Sequence, residues 1–253
     1  MHLPLRALIF DVDGTLAETE RDGHRTAFNL AFAECGLDWH WDEAVYGRLL
    51  RVAGGKERLL HYARMVGRQV DAQQVAQWHR SKTTQYLRRV QRGGVRLRSG
   101  VARLLRQARE AGLLLAIATT TSEPNVQALL RANLGEDALQ AFACIGAGDC
   151  VPAKKPDPAI YDWVLRRLDL PARSCLAFED SALGLRAARG AGLRTLVTPS
   201  EYTEGEDFGG AWAVLDSLGE DDAPARGRIG AQPWQGVLTP QQLQRWAQAH
   251  PAA

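Results

Sequence analysis

The sequence predicts an α/β protein: a parallel sheet with a block of helices inserted after its first strand. Three observations carry that prediction. An apolar run, Leu8-Ile9-Phe10, ends in Asp11-Val12-Asp13-Gly14-Thr15 close to the start of the chain. No convincing strand then interrupts residues 17–93. From Leu113 onward, short apolar runs alternate with helical patterns, and the continuous run Leu113-Leu114-Leu115-Ala116-Ile117-Ala118 suits a parallel strand buried on both faces.

Taken in order, the first strand is followed by a helix that Thr19 is expected to cap; Ala27, Leu30 and Ala31 form its apolar positions and Gly36 stops it. Helical patterns follow at 42–51, 55–66 and 71–90, and Gly93-Gly94 offers a hinge. Ser99 opens a helix that reaches Ala111, and Gly112 stops it. After the strand at 113–118 come helix 124–133, strand 141–146, helix 158–168, strand 174–178, helix 182–189 and strand 193–197. From about Gly219, Glu220-Asp221-Asp222 and the Pro/Gly-containing stretch to Pro233 read as a loop. Thr239-Pro240 then starts a helix over 243–249, and Trp234 and Trp246 are expected to pack this tail onto the main body. The expected division is a core of residues 1–16 and 94–253 and a helical domain of residues 17–93.

Composition narrows the class of function. The 253 residues carry 31 Lys+Arg against 29 Asp+Glu, a net charge of +2, which gives no case for nucleic acid or an anionic membrane as partner. No segment is long and apolar enough to span a bilayer, and Met1 to Arg6 is expected to run straight into the first strand without room for a signal peptide. Cys35, Cys144, Cys150 and Cys175 have neither metal-site nor disulfide-framework spacing and read as reduced thiols of a cytoplasmic protein, Cys144 and Cys175 as small strand hydrophobes. A small-molecule partner and a monomer are the expectation.

The chemistry sits at strand ends, where open α/β sheets bind ligands. Asp11 and Asp13, two apart, can face one site, and crowded carboxylates invite a divalent cation. Gly14 suits a tight turn, and the Thr15 hydroxyl and N–H could hold an anion's oxygens. The second strand ends in Thr119-Thr120-Thr121-Ser122, suited to phosphate oxygens or to an ordinary helix cap. Lys154-Lys155-Pro156 places cations in a rigid loop; it also reads as a solvated basic loop. Glu179-Asp180 would complete an oxygen-rich shell for Mg²⁺, or favour the dipole of the next helix. Four complementary groups at successive strand ends of one sheet argue for a single site.

These four ordered motifs, Asp11-Val12-Asp13-Gly14-Thr15, Thr119, Lys155-Pro156 and Glu179-Asp180, resemble those of the haloacid-dehalogenase-like (HAD) phosphohydrolases over nearly the whole chain. The resemblance implies a Rossmann-like HAD core with an inserted α-helical cap domain that closes over the site and carries substrate choice. It implies Asp11 as nucleophile, Asp13 as general acid/base, Thr119 holding the transferring phosphoryl group and Lys155 steadying both. Asp11, the backbone carbonyl of Asp13, Glu179 and Asp180 would bind Mg²⁺. Asp-Val-Asp-Gly-Thr-Leu-Ala-Glu-Thr-Glu, the Gly-Gly-Lys-Glu-Arg loop and Ala-Lys-Lys-Pro-Asp-Pro further resemble the CbbY branch. That implies a sugar-bisphosphate phosphatase acting on xylulose-1,5-bisphosphate, an inhibitory by-product of Rubisco.

Substrate contacts are expected from Thr15, Thr120 and Thr121 and, through sugar hydroxyls, from Glu18 and Glu20. Arg51, Gly55, Lys56 and Arg58 gather charge for a second phosphate, or simply line an exposed helix start. Residues 200–207 are placed near the substrate without an assigned role. A β-phosphoglucomutase-like mutase would use the same motifs, and a non-catalytic phosphosugar sensor is the alternative of another class. Dehalogenases and carbon–phosphorus hydrolases fit worse, because those relatives do not carry an acid at the position of Asp13.

Overall fold

The computed structural model describes residues 4–148 and 150–249; the expectations for residues 1–3 and for the end of the C-terminal extension, 250–253, lie outside the described residues. Five parallel strands form the centre: β1 (Ala7–Phe10), β2 (Leu114–Ala118), β3 (Phe142–Gly146), β4 (Cys175–Glu179) and β5 (Arg194–Val197). Among the described residues the sheet has eight strands in the order β3-β2-β1-β4-β5 followed by β6 (Ala213–Leu215), β7 (Ala225–Ile229) and β8 (Gln232–Gly236). Helices α5 (Val101–Glu110), α6 (Glu123–Leu134), α7 (Ala159–Leu168) and α8 (Ala182–Gly190) connect the parallel strands.

Side chains alternate across each strand, so every strand feeds two cores. Leu8, Phe10, Leu115, Ile117, Leu176 and Phe178 pack on one face with Leu104 and Leu105 of α5 and Leu129 and Leu130 of α6. Ala7, Ile9, Ala116, Ala118, Cys175 and Ala177 face α7 and α8. Cys175 is buried as expected, whereas Cys144 is only partly buried.

Between β1 and α5 the chain forms a helical insertion of α1 (Thr26–Glu34), α2 (Glu43–Leu49), α3 (Gly55–Met65) and α4 (Ala72–Gln91). Its core is largely aromatic: Phe28, Phe32, Trp39, Trp41, Tyr46 and Trp78, with Phe28 and Trp41 ring centroids 4.7 Å apart. Asp42 caps α2 through the Val45 N–H at 2.7 Å, and Asp71 with Gln74 makes a capping box on α4. A π-helical segment, Glu20–Arg25, precedes α1, and Thr19 caps nothing; its hydroxyl donates to Asp13 Oδ1 at 2.5 Å instead. The entry and exit of the insertion lie side by side, with Ala17 bridged to Leu97 and the Arg98 N–H donating to the Leu16 carbonyl at 2.8 Å. The Arg98 guanidinium fastens this crossing to the Thr198 and Pro199 carbonyls, each at 2.7 Å.

The C-terminal extension corrects the sequence reading. β6 (Ala213–Leu215), in a stretch to which the sequence reading assigns no element, joins β5 in parallel, and in place of a loop from about 219 to Pro233, β7 (Ala225–Ile229) and β8 (Gln232–Gly236) add an antiparallel hairpin at the sheet edge. A two-residue connection with Gly230 at φ 56° turns the hairpin. Arg226, Arg228, Gly227 and Pro233 mask its strand character, and Pro233 fits an edge strand, where a missing N–H is tolerated. Helix α9 (Pro240–Ala249) starts as expected, with Thr239 Oγ1 accepting the Gln242 N–H at 3.2 Å. Trp234 and Trp246 meet edge to face at 5.2 Å and join the main core.

Candidate active site

Strand register brings the acids together. β1 and β4 pair with Phe10 opposite Phe178, so Asp11 and Glu179 emerge side by side at the same sheet edge, and the Asp11 N–H donates to the Phe178 carbonyl at 2.9 Å. Asp11, Glu179 and Asp180 are all buried, and one oxygen from each lies within 4.8 Å of the others. Lys155 enters from the loop after β3, its Nζ 2.6 Å from both Asp11 Oδ1 and Glu179 Oε1. Tyr161 of α7 donates its hydroxyl to the same Glu179 oxygen.

Burial, reinforced by Glu179 and Asp13 and only partly offset by Lys155, pushes Asp11 up to about 8. Burial and repulsion from Asp11 and Glu179 also hold Asp180 well above the usual carboxylate range. Lys155 is raised despite its burial because two carboxylates surround it. With its three carboxylates ionised the cluster would carry more negative charge than one lysine neutralises, and its donors are all hard oxygens. Both properties fit Mg²⁺.

Asp13 has different surroundings. His24 Nε2 lies 2.9 Å from its Oδ1, and Lys82 Nζ lies 2.8 Å from His24 Nδ1. A lysine can only donate, so it fixes the tautomer that leaves the Nε2 proton for Asp13. Burial alone would raise Asp13, yet His24, the Thr19 hydroxyl and Lys82 outweigh it and hold the acid at about 2.

A cleft between sheet edge and insertion has two lobes, of about 300 and 460 Å³, with Asp13, Glu20, Gly54, Arg58 and Thr120 lining both. The larger lobe contains Asp11, Lys155, Glu179 and Asp180; the smaller is lined by Gly55, Lys56, Arg80, Lys82, Thr121 and Lys154. Arg51 opens onto the larger lobe, so the basic loop that looked continuous in sequence serves both. Glu20 accepts the Tyr46 hydroxyl and lies 3.8 Å from Arg58, which in turn donates to the Tyr46 oxygen at 2.9 Å.

Three residues expected at the site line neither lobe. Thr15 is buried with its N–H on the Val12 carbonyl at 3.3 Å, and Glu18 pairs with Arg98 at 3.1 Å. Thr119 is 1% exposed and lines neither lobe, its Oγ1 accepting the Thr121 N–H at 3.3 Å.

The haloacid dehalogenase-like hydrolase family model matches residues 5–192. The protein CbbY of Cupriavidus necator is 54% identical over 226 residues, covering 87% of this chain and 88% of that protein. The chain belongs to the haloacid dehalogenase-like hydrolases, in the CbbY family. The crystal structure of CbbY from Rhodobacter sphaeroides in complex with phosphate is 49% identical and superimposes with a TM-score of 0.80, covering 84% of this chain and 94% of that one. A mutant of the same protein in complex with xylulose-1,5-bisphosphate is 48% identical, again at 0.80, covering 85% and 96%. Membership in the CbbY family makes this chain a hydrolase of the sugar-phosphatase type.

Sequence reasoning passed over His24, Lys82, Tyr46 and Tyr161 in this CbbY-family chain. One signal was legible: Val75, Trp78, Lys82 and Tyr86 form the buried stripe of α4, and a lysine on such a stripe needs a partner.

Proposed function

We propose that this chain is a Mg²⁺-dependent phosphatase that converts xylulose-1,5-bisphosphate to xylulose 5-phosphate and phosphate through a phosphorylated Asp11. The observation that carries the reading is the pairing, in one cleft, of a Lys155-bound carboxylate with a second lobe lined by Lys56, Arg58, Arg80, Lys82 and Lys154. A ligand with phosphate at both ends matches that charge distribution, and a CbbY relative binds such a ligand.

Asp11, Glu179, Asp180 and the Asp13 carbonyl would hold Mg²⁺, which when bound supplies positive charge against the phosphoryl oxygens and keeps Asp11 ionised. Asp11 attacks phosphorus while Lys155, bridging Asp11 and Glu179, neutralises developing charge. Asp13 protonates the leaving sugar oxygen, a role it takes once the arriving phosphate dianion raises it from about 2. It then accepts a proton from the water that hydrolyses phospho-Asp11. Residues 17–93 act as a cap: closure brings Glu20 and Arg58 over the substrate and excludes bulk water during the first step.

The test is product analysis with purified protein, Mg²⁺, xylulose-1,5-bisphosphate, ribulose-1,5-bisphosphate and β-glucose 1-phosphate. One equivalent of phosphate from the first and little from the second is expected, and Asp11→Asn should lower the rate by three orders of magnitude or more, roughly the scale on which catalysis through a removed nucleophile fails. Glucose 6-phosphate formed without phosphate release would replace this reading with a mutase; tight binding without turnover would replace it with a sensor.

A further inference from the structure

The segment that follows β5 has no assigned task, yet it makes some of the most buried polar contacts near the acidic cluster. Ser200, Thr203 and Asp180 are 3%, 7% and 6% exposed. Ser200 Oγ donates to Asp180 Oδ2 at 2.7 Å, and Thr203 Oγ1 donates to the Asp180 backbone carbonyl at 2.7 Å while accepting the Ser200 N–H at 2.8 Å. Each hydroxyl has one proton. With both protons directed at Asp180, one at its side chain and one at its main chain, the 3.0 Å approach of the two hydroxyl oxygens to each other carries no proton.

We propose that Ser200 and Thr203 are positioning residues that preset Asp180 for the divalent cation. The inference rests on the ion-site reading above. Asp11 and Glu179 repel Asp180, and a carboxylate on a free χ1 torsion would swing away from them. Ser200 commits Oδ2, which packs where any side chain at Gly14 would have to go, so Oδ1 is the oxygen left to meet a cation. Thr203 fixes the peptide from which that side chain springs. The turn that carries the two hydroxyls leaves directly from the strand next to the acid: β5 pairs Val197 with Glu179, and the Thr198 N–H donates to the Glu179 carbonyl at 2.8 Å. Orientation settled before binding is affinity gained on binding, and loss of such outer contacts typically costs about 10- to 100-fold in metal affinity.

The experiment titrates the metal-free protein with Mn²⁺ alone, reading free ion by electron paramagnetic resonance, and in parallel measures the Mg²⁺ concentration giving half-maximal phosphatase rate. Ser200→Ala and Thr203→Val should each weaken Mn²⁺ binding about 10-fold, and excess Mg²⁺ should restore most of kcat. Thr203→Ser, which keeps the hydroxyl, should bind like the wild type. Asp180→Asn serves as the control for the ion site itself. Wild-type affinity in both Ser200→Ala and Thr203→Val, with Asp180→Asn weakened, would overturn the inference and leave the ion site standing. No Mn²⁺ binding by the wild type, or none lost in Asp180→Asn, would overturn both. Should Ser200→Ala not fold, as judged by near-ultraviolet circular dichroism, the contrast between Thr203→Val and Thr203→Ser decides.

Discussion

Lys82 is buried at 4% exposure, between the rings of Phe28 and Tyr86 and against His24, and burial lowers it to about 8 from its ordinary 10.5. Between those two values the unfolded chain binds more protons at this residue than the native one, so its contribution to stability rises with pH across that window. Below about 8 the ammonium is present in both states and its burial is a constant cost. Wild type should therefore gain stability relative to Lys82→Met between pH 8 and 10, in urea titrations at unit pH steps; a pH-independent difference would show that Lys82 is not held near 8. Asp11, Asp13, Lys155, Glu179 and Asp180 were legible in the sequence because each follows an apolar run or a rigid loop at a strand end. His24 and Tyr46 were not, because they reach the cleft from the insertion, whose placement depends on packing far along the chain. Thr15 and Glu18 flank the same motif and are held by local contacts: the Thr15 N–H by the turn at Gly14 and the Glu18 carboxylate by the Arg98 guanidinium.

The approach of α8 to β4 shows an element constrained by the site. Ser181 caps the helix by accepting the Gly184 N–H at 3.1 Å, and this puts Gly184 directly against the Glu179 carboxylate. Alanine is the better helix former by about 1 kcal/mol at an exposed position. Here its methyl would fall on Glu179, so Gly184→Ala should instead destabilise by about 1–3 kcal/mol and lower activity by displacing the Lys155 partner. Thermal unfolding and phosphatase rates check both; a stabilised, fully active variant would mean the helix can retreat. The alternating strands and helices were readable because buried parallel strands are nearly continuous apolar runs. The β7–β8 hairpin was not, because an edge strand tolerates the Arg, Gly and Pro that signal a loop elsewhere.

At the scale of the whole molecule, the order of elements as far as β5 followed from the sequence, whereas the meeting of the insertion and the strand ends around one cleft did not. Six of the seven tryptophans divide along the same line, Trp163 of α7 standing apart in the core between the sheet and α7. Trp39, Trp41 and Trp78 belong to the aromatic core of the insertion, and Trp212, Trp234 and Trp246 cluster beside α9, with centroids 5.2 and 6.0 Å from Trp246. Trp41 packs tilted against Tyr46, with ring centroids 5.9 Å apart, and the Tyr46 hydroxyl is bonded to cleft residues Glu20 and Arg58. The far group lines neither lobe. Once Trp163 is replaced, intrinsic emission is sorted into two optical channels. A phosphate analogue should shift the spectrum of a variant keeping only the first trio and leave one keeping only the second unchanged; equal shifts in both would mean that ligand reaches the C-terminal edge. The chain carries its own paired fluorophores, one set reading the insertion and the other serving as the internal standard.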